Sequence, residues 1–65
     1  MKRVTIVISP NVADATAQWL FEKSIRVLLS YSKDEFFDSK IVIICGVPDE
    51  AVTEFQTKFS SQIKN

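Results

Sequence analysis

The run Ile41-Val-Ile-Ile-Cys45 constrains this chain more than any other stretch. It is apolar at every position and rich in β-branched residues, and Gly46 and Pro48 close it. A run this short, with no polar residue on either face, reads as a β-strand covered on both sides. Every other element has to be laid over it or beside it.

Three further elements precede and follow. From Arg3 to Ser9, Val4, Ile6 and Ile8 alternate with Thr5, Val7 and Ser9, the period of a strand. Ser9-Pro10-Asn11 ends it, because proline disfavours helix at the residue before it and removes a ladder donor. Asn11 then suits an N-cap, with Asp14 three residues on as its capping-box partner. A helix is expected from Val12 to Tyr31. Stepping about 100° per residue gathers Ala17, Leu20, Phe21, Ser24, Val27, Leu28 and Tyr31 on one side. Trp19 falls among Glu22, Lys23 and Arg26 on the polar side. Ser32 to Ser39 reads as a connection in which Phe36 and Phe37 stand among Lys33, Asp34, Glu35 and Asp38. Pro48-Asp49-Glu50 suits the opening of a second helix, with Val52, Phe55, Phe59 and Ile63 as its apolar stripe.

The expected order is β-α-β-α in one domain over residues 1–65, of the α/β class, with α+β as the alternative. A helix of about 20 residues is long enough to return the chain for a parallel second strand. Two parallel strands do not make a stable sheet by themselves. With 65 residues, the chain also needs a staple beyond its own core. One cysteine and no histidine leave neither an internal disulfide nor a zinc cluster to supply it. The remaining staple is self-association, and the expectation is a homodimer in which two such sheets combine into four strands.

Function is bounded mainly by exclusion. A formal net charge of zero gives little electrostatic reason to capture DNA, RNA or an anionic membrane. No apolar run is long enough to span a bilayer. The apolar run after Met1-Lys2-Arg3 ends by Ile8 with no small-residue cleavage site, so no signal peptide is expected. With a lone reduced cysteine, that points to the cytoplasm. A single glycine excludes the phosphate-cradling loops, and no cofactor or metal is expected. Cys45 at the end of its strand, with Gly46, Ser9 and Asn11, would form one edge if the two strands ran parallel. That is the alternative reading, an enzyme or small-molecule binder. Asp49 and Glu50 oppose a thiolate there, and the chain has no histidine to act as base. A second alternative is nucleic-acid binding through Lys2, Arg3, Arg26 and Lys40. The leading expectation is a non-enzymatic protein that regulates or inhibits a larger protein through an apolar, aromatic surface. Trp19, Arg26, Phe36 and Phe37 are its candidate contact residues.

Overall fold

In the computed structural model, residues 1–35 and 38–64 are described. The alternating run at the start forms β1 (Lys2–Ile8), with Val4, Ile6 and Ile8 buried and the residues between them more exposed. Pro10 opens a single 3-10 turn, Pro10–Val12, closed by the Val12 amide donating to the Ser9 carbonyl at 3.1 Å. Helix α1 follows as Ala13–Glu22. Its N-cap is Val12, with no side-chain cap bond, so the expected Asn11–Asp14 capping box does not form. Proline sets the turn going too early for Asn11 to occupy the cap.

The helix expected to continue to Tyr31 stops at Glu22. Ser24 takes a left-handed conformation at φ 58°, the only non-glycine residue with positive φ among those described. Its amide donates to the Phe21 carbonyl at 3.1 Å, and the Ile25 amide donates to the Leu20 carbonyl at 2.9 Å. That bond pair is a Schellman motif, and its usual apolar contact is present as Leu20 and Ile25, both buried. The chain then runs straight into β2 (Arg26–Glu35), which pairs with β3 (Asp38–Val47). Phe36 and Phe37 lie outside the described residues. A second 3-10 turn, Asp49–Ala51, leads into α2 (Val52–Lys58). Ile63–Lys64 form a short β4 against β1, so Ile63 belongs to the sheet and not to the helix stripe.

The sheet order is β2-β3-β1-β4 and every pairing is antiparallel. The expected two-stranded parallel sheet and β-α-β-α order are therefore corrected to an α+β domain with three long strands, a two-residue fourth strand and two helices. A returning helix is present. It brings in β2 parallel to β1, and β3 inserts between them. This is the split βαβ, or ferredoxin-like, arrangement. The chain supplies four strands by itself, which removes the reason for completing the sheet with a second chain.

Both helices pack on one face. Val4, Ile6, Ile8, Ile43, Cys45 and Val47 form a single core with Leu20 and Ile25, and with Phe55 and Phe59 from α2. Trp19 closes the seam between the helices. Its ring lies 5.4 Å from Phe59, edge to face, and 6.3 Å from Phe55. The buried side of α1 is Ala13, Thr16 and Leu20 with Trp19, while Phe21, expected in the core, is 83% exposed. Lys23, the C-cap of α1, and Glu54 of α2 bridge the same seam at 3.2 Å.

Candidate functional site

Ser9 and Asn11 do not share an edge with Cys45 and Gly46. Because β1 and β3 run antiparallel, Ser9 and Asn11 follow the end of β1 that faces Ile41, whereas Cys45 and Gly46 pair with Val4 and Arg3 at its other end. Cys45 is fully buried, and burial pushes its thiol from 9.0 up to about 11. That is the reverse of what a reactive thiolate needs. Among the described residues, no cluster of three or more Cys, Asp or Glu is arranged to hold a metal ion.

Trp19, expected as an exposed aromatic on a polar helix side, is half-buried at the helix seam. Lys58 and Lys23 lie over its ring at 5.3 and 5.9 Å, contacts that stabilise the seam through the ring's quadrupole. A half-open cleft of about 280 Å³ is lined by Ile8, Val12, Ala15, Thr16, Lys58, Phe59 and Gln62. One lysine with a hydroxyl and an amide offers neither a nucleophile–base pair nor a set of carboxylates.

The opposite face of the sheet carries no helix. Register places its side chains in rows. Arg3, Gly46 and Arg26 form the first row. Thr5, Ile44 and Leu29 form the second, and Val7, Val42 and Tyr31 the third. Lys40 and Lys33 form the fourth, where Lys40 also donates to the Ser9 hydroxyl at 3.4 Å. The middle rows are apolar. Val42 is buried between its neighbours, while Leu29 and Tyr31 are 53% and 48% exposed. In the first row, Gly46 has no side chain, and the Met1 thioether lies where a Cβ would stand, 2.8 Å from that position. The glycine therefore lets Met1 lie across the strand between the two arginines.

Charge is divided between the two sides of the molecule. Among the described side chains, the helix-free face holds Arg3, Arg26, Lys33 and Lys40 against Asp38. The helix side holds Asp14, Glu22, Asp34, Asp49, Glu50 and Glu54 against Lys2, Lys23 and Lys58. A net charge of zero conceals this separation.

The candidate contact residues thus part company. Arg26 stands on the helix-free face, Trp19 lies between the helices on the other side, and Phe36 and Phe37 fall outside the described residues. Leu29 and Tyr31 fall within the helix expected from Val12 to Tyr31 and so are absent from the expected contact residues. Their spacing of two, with Lys33 next, is the strand period that could have identified them. No family model, curated protein or solved structure matches the chain.

Proposed function

We propose that this is a non-enzymatic cytoplasmic binding protein that regulates or inhibits a larger protein through the helix-free face of its sheet. The observation that carries the reading is the contiguous apolar centre of that face. Leu29 and Tyr31 stand exposed beside Ile44 and Val42, and no element among the described residues covers them. Apolar surface left open beside a well-packed core marks a contact site more often than a catalytic one. The ferredoxin-like arrangement does not bear on the choice, since it hosts unrelated functions.

The test compares three immobilised forms in a native lysate: wild type, Leu29→Asp on the sheet face and Phe21→Asp on the helix side. A protein retained by wild type and by Phe21→Asp, but lost with Leu29→Asp, is the expected result. Identical retention by all three forms overturns the assignment of this face.

A further inference from the structure

The helix side of the molecule has an opening of its own, separate from the sheet face. We propose that the cleft between the start of α1 and the end of α2 binds a small apolar carboxylic acid, a single ring on a short chain that ends in one carboxylate.

The apolar part of the cleft belongs to the core. Ile8 and Phe59 line it as buried wall, at 4% and 5% exposed. Val12 and Ala15 line it from the start of α1 and are open to solvent. A volume of about 280 Å³ is roughly twice that of an apolar cavity that accepts benzene, which leaves room for one ring and a short chain.

Thr16 is the observation that points to a ligand. It is only 6% exposed, yet its side chain makes no hydrogen bond among the described residues. Its hydroxyl is not sealed in the core, because no fully enclosed side-chain oxygen or nitrogen among those residues lacks a partner. The space it opens on is the cleft that Thr16 lines. A buried residue whose hydroxyl is unused by the fold is free to bond a group that enters from outside.

The sign of that group follows from Lys58, the one ionisable side chain among the described residues lining the cleft. It has no carboxylate partner among the described residues. Its Nζ stands 5.3 Å from the Trp19 ring and 5.9 Å from the Phe59 ring, which holds the ammonium beside the apolar wall. Gln62 brings an amide to the same lining. Ammonium, hydroxyl and amide can all donate to one carboxylate. Val12 gives α1 no side-chain cap, so the positive end of the helix dipole acts in the same sense, and Asp14 of that turn does not line the cleft. A single cation suits a carboxylate, whereas phosphate sites gather several cations or a nest of amides.

The test follows the backbone amides by NMR during titration with benzoate, phenylacetate and phenylpropionate, each compared with its neutral primary amide. At least one acid should bind in the millimolar range, shift the amides of Ile8, Val12, Thr16, Phe59 and Gln62, and bind more tightly than its amide. Lys58→Gln should weaken the acid about fivefold, the most an exposed ammonium contributes, and leave the neutral amide unaffected. Thr16→Val keeps the shape and removes the hydroxyl, so it should weaken the acid while the melting temperature holds or rises. No shift with any acid, shifts centred elsewhere, or equal binding of acid and amide overturns the proposal. Equal weakening of acid and amide by Lys58→Gln makes the lysine a structural support of the Trp19 seam and also overturns it. So does a Thr16→Val protein that melts lower and binds the acid as wild type does. None of these outcomes depends on the sheet face.

Discussion

Cys45 stands opposite Val4 on one neighbouring strand and Val27 on the other, inside the core. Its thiol titrates near 11 because ionising it would place a charge where no water reaches. In the unfolded chain the same thiol ionises near 9.0. The folded pKa is the higher one, so the thiol's contribution is fully present below pH 9. It is lost as the pH rises toward 11, because only the unfolded state gains by ionising. At its limit the loss is roughly 3 kcal/mol, at about 1.4 kcal/mol per pKa unit. Wild type should therefore lose stability more steeply than Cys45→Ala in chemical denaturation between pH 9 and pH 11. At pH 7.5 the native thiol should resist a disulfide reagent. Parallel pH profiles for the two proteins would show that the thiol is hydrated.

At the scale of elements, the decisive event is the end of α1. The segment Ile25 to Tyr31 fits a helical face about as well as a strand, and no glycine, asparagine or proline stands between it and Trp19 to stop a helix. Ser24 performs the stop, in a conformation that costs a non-glycine residue about 1–2 kcal/mol. Ser24→Gly removes that cost and gives back part of it as chain entropy. The expected net gain is up to about 1 kcal/mol, or several degrees in melting temperature for a domain of this size. An unchanged or lower melting temperature would argue that the chain does not reverse through this motif.

The same ambiguity explains what was legible in the sequence and what was not. β1 and β3 were readable because their apolar residues are continuous or strictly alternating. Pro48 and its acidic neighbours mark the approach to α2, but they form a 3-10 turn and the helix itself begins at Val52. Adding Val27, Leu28 and Tyr31 to the first helix pulled its expected apolar face toward Ala17 and Phe21, both of which are exposed. That displacement put Trp19 on the outside, when it packs on Phe55 and Phe59. Without β2 the expected sheet is only a parallel pair, and the helix-free face has no place in it.

For the molecule as a whole, the remaining question is whether the chain pairs with itself. β2 is the outer strand on its side of the sheet, and it presents a free edge along Arg26–Glu35. Two copies could join there about a two-fold axis and continue the sheet. The bulge between Val27 and Leu29 and the charged residues from Lys33 onward both oppose such pairing. Main-chain bonds contribute about 0.5–1.5 kcal/mol each, whereas association costs some 4–15 kcal/mol in lost freedom. Where association costs about 6 kcal/mol, around ten such bonds at about 1 kcal/mol each leave a surplus of about 4 kcal/mol, near-millimolar dissociation, and on that ground we propose a weak homodimer. Sedimentation from about 10 to 500 μM should show reversible association that increases with concentration. Leu28→Lys, at the bulge residue, should remove it by placing like charges beside the joint. Because edge and face are separate surfaces, Leu28→Lys should leave retention of a partner protein intact, while Leu29→Asp should abolish that retention and spare the dimer. A single species of 7.4 kDa across the whole range rejects self-association through this edge.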